Sequence, residues 1–252
     1  EVRAAGPTSW FQAYIPGEAD RIAALVDRAE AAGFDTLVIT ADTAVHPKHE
    51  RAAHYGFRSP VKMSLDLAWQ GLSRPGWLWR VLLRDRLASR RLRFENMDAD
   101  KGPPVFSSTL IRDIGRRDAL SWQHLEAVRR RWKGKLVVKG IMTAGDAETA
   151  EKTGVDGIIV SNHGGRQIDC AASSLDALER ITDRNLSLAV MYDGGIRRGS
   201  DVLKAIKQGA VFVFVGRPML LAAALAGEQG VVDAIALLAH EIDMAMALLG
   251  VI

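Results

Sequence analysis

The run IIVSNHGGRQIDC, residues 158–170, passes from an apolar stretch straight into Asn, His, two glycines and Arg. An imidazole at a strand end can serve as a general base once a carboxylate orients it. His163 is the candidate base, and Asp42, in the run DTLVITAD, is the candidate orienter. Arg166, three residues beyond the histidine, offers a planar fork suited to a carboxylate. A lone histidine is as readily structural. One followed by Gly-Gly-Arg, in a chain that also carries an anion-binding pattern, is harder to read that way. That pattern is in DGGIRRGSDVLKAIKQG, where Asp193, Gly194, Gly195 and Arg197 separate a strand from a helix, and in FVGRP, where Gly216 and Arg217 repeat the device. Bare glycine amides, a helix N-terminus and arginine forks suit a dianion such as phosphate. Tight turns alone would also call for the glycines. Lys139 closes the apolar run VVKG. An ammonium there must reach a polar site or a partner, because burying it alone costs several kcal/mol.

These groups need strands to carry them. Six apolar, β-rich runs qualify: 10–15, 35–42, 135–140, 156–163, 188–195 and 211–218. They are continuous rather than alternating, as parallel strands buried on both faces should be. Helical patterns lie at 18–32, 118–132, 144–154, 174–184, 199–208 and 228–249, with Gly33, Gly154 and Gly209 where C-caps belong. Strand–helix alternation predicts a parallel sheet with right-handed crossovers. Polar or glycine residues sit at the carboxyl end of nearly every strand, which favours a (β/α)8 TIM barrel over an open doubly wound sheet. Six units are two short of eight. The expectation is one barrel domain over residues 1–252 whose first two β/α units lie outside this chain, which opens on Glu1 rather than Met.

Residues 44–117 break the rhythm and read as an inserted excursion over the site or a surface arm. Within them, six arginines between 80 and 93 face one acid, Asp85, beside Trp77 and Trp79. A basic amphipathic helix at 75–95 could lie on an anionic membrane; a solvated lid or an oligomer contact is the plainer reading.

The bulk numbers are those of an ordinary globular protein: 252 residues, 48% hydrophobic, 25% charged. A net charge of +3 supplies no strong field, and so no argument for nucleic acid. The single cysteine, Cys170, rules out an internal disulfide and points to a reducing compartment, as a packed thiol or, less simply, a catalytic one. No stretch has the length of a membrane span, and no signal peptide is visible.

VVKGIMTAGDAETAEKTGVDGIIVSNHGGRQIDC, then DGGIRRGSDVLKAIKQGA and GRP, closely resemble the FMN-dependent α-hydroxy acid oxidases and dehydrogenases. Glycolate oxidase, lactate oxidase, flavocytochrome b2 and mandelate dehydrogenase are members. SNHGGRQ is the most specific stretch; the likeness is weakest over 60–117. The resemblance implies FMN as cofactor. Gln12, Thr40 and Ser161 would contact it, Lys139 would sit by the flavin N1/O2 edge, and Asp193 to Arg197 with Gly216 and Arg217 would hold the ribityl phosphate. His163 would be the base, oriented by Asp42; Arg166 and the Tyr14 hydroxyl would face the substrate. One position departs from the family. A second carboxylate-binding arginine belongs seven residues after Asp42, and His49 stands there, with Lys48 and Arg51 beside it: either His49 binds the substrate as imidazolium, or a neighbour substitutes, or substrate choice differs.

The implied reaction is oxidation of an L-2-hydroxy acid to the 2-oxo acid, with oxygen or a quinone-type carrier as final acceptor. HERAAHYGF and RPGWLWRVLL, with the small Gly165, resemble mandelate dehydrogenase-type members more than glycolate oxidase. That favours mandelate or another aryl acid over lactate or glycolate. The expected setting is the cytoplasm or the inner face of the cell membrane, and the expected assembly a homo-oligomer. Competing readings are another phosphate-gripping FMN barrel, such as a type 2 isopentenyl diphosphate isomerase or an IMP-dehydrogenase-like enzyme, and a degenerate, non-catalytic barrel fragment.

Overall fold

The computed structural model describes residues 8–45, 64–83 and 119–251, together with positions 6, 54, 93 and 104. His49 and most of the 44–117 excursion lie outside the described residues. The chain divides into two compact units, residues 1–35 with 43–132 and residues 36–42 with 133–252.

In the first unit, β1 (Phe11–Ala13) precedes α1 (Ala19–Ala31). Ile22, Leu25, Val26 and Ala29 recur at helical spacing and are buried. The Phe11 and Phe34 rings meet at 5.2 Å. Further along, α2 (Leu65–Leu72) starts at Ser64, whose hydroxyl accepts the Leu67 amide at 3.1 Å. Pro75–Trp77 runs on into a π-helical segment, Leu78–Leu83. This is the described part of the expected basic arm; its continuation through residues 84–92 lies outside the described residues. α3 (Trp122–Arg131) opens with a Ser121–His124 capping box and buries Leu125 and Val128. The Arg131 guanidinium forks onto Asp27 of α1. That hydrogen bond lowers the Asp27 carboxyl and raises Arg131 from their ordinary values.

The second unit holds β2 (Thr36–Thr40), β3 (Lys135–Ile141), β4 (Gly157–Val160), β5 (Ala189–Asp193) and β6 (Val213–Phe214). They pair in parallel in chain order, β2 with β3 through to β5 with β6. From β3 onward each crossover runs through a helix: α4 (Ala144–Lys152), α5 (Ser174–Thr182) and α6 (Gly199–Lys207). Val38, Val137, Ile159 and Met191 form one apolar layer on a single face, joined by Phe214. The alternate residues Leu37, Leu136, Ile158 and Val160 are buried on the other. Both faces are covered, so the strands read as unbroken apolar runs.

All six expected strands are present, each shorter than its apolar run except β3, which extends one residue past it to Ile141. β6 departs furthest. Only Val213 and Phe214 are extended, and Arg217 and Pro218 belong to the first turn of α7 (Arg217–Leu248). Proline suits a helix start because its missing N–H would have no intrahelical partner there. α7 is broken at Ala226 and Gly227, whose backbones are non-helical; the part beyond the break is the helix expected at 228–249, and the helical stretch before it, from Arg217, is the addition. Cys170 is exposed, which corrects the packed-thiol expectation.

Candidate functional site

Position 140 shapes the site first. Between Lys139 and Ile141 the β3–β4 register slips by one residue, a bulge with Gly140 as the extra residue. Gly140 has φ +101°, and a Cβ there would stand 2.6 Å from the Asp42 Cβ. The Ala41 amide bonds to the Lys139 carbonyl at 2.9 Å, which carries the chain past the end of β2 and seats Asp42 against the bulge.

Asp42 then reaches His163. Its two carboxylate oxygens lie 3.0 and 3.1 Å from His163 Nδ1, across 121 residues of sequence. With the carboxylate accepting from Nδ1–H, the lone pair is left on Nε2, the state a general base needs. Both side chains are largely buried. His163 itself has φ 57°, in the left-handed region that few non-glycine residues occupy. Strain of that kind persists where the surroundings hold it. Here the His163 amide donates to Ser161 Oγ at 3.0 Å, and the side chain is tied to Asp42.

Ser161 is fully buried. Its hydroxyl donates to Asp193 Oδ2 at 2.8 Å and accepts from Lys139 Nζ at 3.0 Å as well as from the His163 amide. One donor and two acceptor positions are all a hydroxyl has. The group expected to touch FMN is thus spent on three protein partners. Lys139 also meets Asp193 directly, Nζ to Oδ2 at 2.9 Å. The buried ammonium is therefore paired, and Asp193, expected as part of the phosphate loop, is its counter-ion.

The two anion-binding turns differ from each other. The Arg197 and Arg198 amides each donate to Asp201 Oδ2 at 3.1 Å, and the Gly199 amide donates to Glu241 Oε2 at 2.8 Å. The N-terminus of α6, expected to receive a dianion, is already capped by two carboxylates of the chain. The Gly199 amide, and then the Arg198 side chain, hold the Glu241 carboxyl below its ordinary value. No pattern around DGGIRRG announces Glu241; its only signal is tertiary. Gly195 and Gly216, by contrast, have open space where a side chain would begin. Arg217 starts α7 and donates to the Gly164 carbonyl, tying this turn to the histidine loop.

Thr40 is buried at the end of β2, in register with Lys139. Arg166 is exposed three residues beyond His163. Gln12 and Tyr14 lie on and just after β1 in the first unit. Three further residues escaped the sequence reading. Ser174 Oγ donates to the Tyr192 hydroxyl at 3.1 Å, and burial pushes the Tyr192 phenol up. Asn162 bridges two points of the loop that carries His163. Among the described residues, no cluster of His, Cys, Asp and Glu could hold a metal ion.

A histidine–aspartate pair, a paired lysine and glycine–arginine turns beyond the carboxyl ends of parallel strands are the arrangement of an α/β barrel-type site. The sequence model of the FMN-dependent dehydrogenases matches residues 1–252, and this chain belongs to that family. Curated L-lactate dehydrogenases of Stenotrophomonas maltophilia (strain R551-3) and Pseudomonas aeruginosa (strain LESB58) are each 38% identical to it over 244 residues, 96% of this chain. The chain spans 63% of the length of these relatives. Among solved structures, a monotopic membrane (S)-mandelate dehydrogenase matches with TM-score 0.82 and 33% identity, over 94% of this chain and 62% of that one. A mandelate oxidase with 3,3-difluoro-2-hydroxy-3-phenylpropionic acid matches with TM-score 0.72 and 32% identity, over 98% of this chain and 60% of that one.

The family implies FMN, and the residues present fit it. Open glycine turns with Arg197 and Arg217 suit a phosphate dianion. A largely buried lysine at a strand end, paired with Asp193, suits the polar edge of a flavin.

Proposed function

We propose that the chain takes part in FMN-dependent oxidation of an L-2-hydroxy acid to the 2-oxo acid, with mandelate or a similar aryl acid as substrate. The observation that carries this reading is the His163–Asp42 pair at 3.0 Å, with Arg166 three residues on and the Lys139–Asp193 pair joined to the same backbone through Ser161. FMN, when bound, supplies the two-electron acceptor. His163 Nε2 removes a proton from the substrate, from the α-carbon or the hydroxyl, while Asp42 stabilises the imidazolium that forms. Arg166 binds the substrate carboxylate. Lys139, Gly194 to Arg197, Gly216 and Arg217 would hold the cofactor, with Lys139 offsetting negative charge at its edge.

Support for an aryl substrate is the likeness to the mandelate dehydrogenase and oxidase structures. A second reading, a small aliphatic substrate such as lactate, draws on the 38% identity to L-lactate dehydrogenases. Membrane contact belongs to the proposal too. Trp69 is 71% exposed and Trp79 58%, near the exposed Leu65 and Leu72. Among the described residues no helix is long and apolar enough to cross a membrane; the contact proposed is a peripheral one, on the inner face.

One experiment separates these readings. The FMN-loaded protein is mixed with mandelate, lactate or glycolate in a stopped-flow cell, and bleaching of the flavin is followed. Mandelate is expected to bleach it fastest; faster bleaching by lactate would transfer the assignment to the aliphatic reading. Oxygen or a quinone in anionic vesicles is added next, to identify the acceptor. Sedimentation of the protein with those vesicles reports membrane contact.

The proposal also makes these six strands six of a barrel's eight. Val211 and Phe212 beside β6, and Leu220, Leu225 and Leu248 on α7, are apolar and exposed. The isolated chain is expected to enhance the fluorescence of an apolar-surface dye such as ANS, and Leu225→Glu to reduce it. No enhancement would count against an uncovered face.

A further inference from the structure

Residues 162–172 leave the sheet after β4 and return just before α5, carrying His163 and Arg166 on the way. His163 is held by Asp42 and by Ser161. Arg166 has neither anchor, and Gly165, Arg166 and Ile168 are exposed. One side chain closes the base of this loop. Asn162 Nδ2 donates to the Ala172 carbonyl at 3.1 Å, and Asn162 Oδ1 accepts from the Gly165 amide at 3.2 Å. The Gly165 amide is shared with the Asn162 carbonyl, 3.0 Å away. A donor at one end and an acceptor at the other fix the amide in one orientation. A carboxylate of the same shape has no donor to offer Ala172.

The same amide is wedged against the turn after β5. A Cβ on Gly194 would stand 3.2 Å from Asn162 Oδ1 and 2.5 Å from Ser174 Oγ. Only a residue without a side chain, at φ +122°, leaves Asn162 and Ser174 their places. The loop bearing Arg166 is therefore latched at its two ends and seated on the glycine turn that follows Asp193.

We propose that Asn162 is a positioning residue for Arg166: its carboxamide closes the 162–172 loop so that the guanidinium is presented from a fixed frame. The inference goes beyond the assignment of Arg166 to a substrate carboxylate, and only its kinetic arm rests on that assignment.

Limited digestion with trypsin, read by mass spectrometry at the Arg166–Gln167 bond, tests the latch without flavin or substrate. Losing the hydrogen bond to Ala172 should raise the population of the open loop, and so the cleavage rate, about threefold to tenfold in Asn162→Ala. Asn162→Asp should be cut at least as fast, because a carboxylate oxygen would then face the Ala172 carbonyl. Cleavage of both variants at the parental rate would overturn the proposal. Hydrogen exchange on the unaltered protein guards against a variant that does not fold. The Gly165 amide, bonded to two oxygens, should be protected, and exchange at the unprotected rate would equally overturn the latch. In the kinetic arm, Asn162→Ala should raise KM for the hydroxy acid about threefold to tenfold with kcat near the parental value. A fall in kcat at unchanged KM would reject the link to Arg166. Faster cleavage in a protein that oxidises no hydroxy acid would leave the latch standing and sink the proposed reaction instead.

Discussion

Replacing His163 with alanine is expected to lower the rate of substrate-driven flavin reduction by roughly 10²–10⁴-fold, the usual contribution of a positioned general base. Flavin absorbance after gel filtration should persist. The imidazole is placed for that role from two sides: Nδ1 lies 3.0 Å from Asp42, and the amide is held at φ 57° by Ser161. Neither Lys139 nor the glycine turns depend on the imidazole, which is why cofactor binding should survive. Single-turnover stopped-flow with excess hydroxy acid makes the measurement. A His163→Ala protein that reduces its flavin at the parental rate would end the assignment of the base.

The second large effect comes from a residue with no chemistry of its own. Gly140→Ala should destabilise the protein by about 2–5 kcal/mol, combining the left-handed backbone of a non-glycine residue with overpacking. It should also slow the reaction. The added methyl would fall 2.6 Å from the Asp42 Cβ, 2.7 Å from its Cγ and 2.9 Å from its backbone nitrogen, so the carboxylate that orients His163 must move. Asp42→Asn is the informative comparison. It keeps the shape and removes the negative charge, so the rate should fall with a smaller loss of stability. Urea denaturation gives the first quantity and stopped-flow the second. Parental stability and rate in Gly140→Ala would mean the bulge does not set the Asp42–His163 geometry.

Much of this site lay open in the chain. SNHGGRQ, the DGG turn and VVKG each placed chemistry at the end of an apolar run, and each run became a strand of the parallel sheet. Asp42 was legible as a carboxylate at a strand end, and the structure brings it onto His163. The end of the last strand was not legible. FVGRP reads as extended because it is apolar, yet Pro218 with Gly216 before Arg217 starts a helix. Periodicity over a few residues cannot separate those outcomes.

What the amino-acid order determined by itself was the alternation of strand and helix and the residue types at each strand end. Those follow from local hydrophobic pattern and from glycines that only certain turns accept. Pairings across the fold were decided only in three dimensions: Lys139 with Asp193, Ser161 with three partners, Glu241 capping α6, and Asn162 closing its loop. The physical reason is directional. A hydrogen bond depends on where backbone and side chain point after every crossover has packed, and a one-residue bulge at Gly140 is enough to redirect a carboxylate.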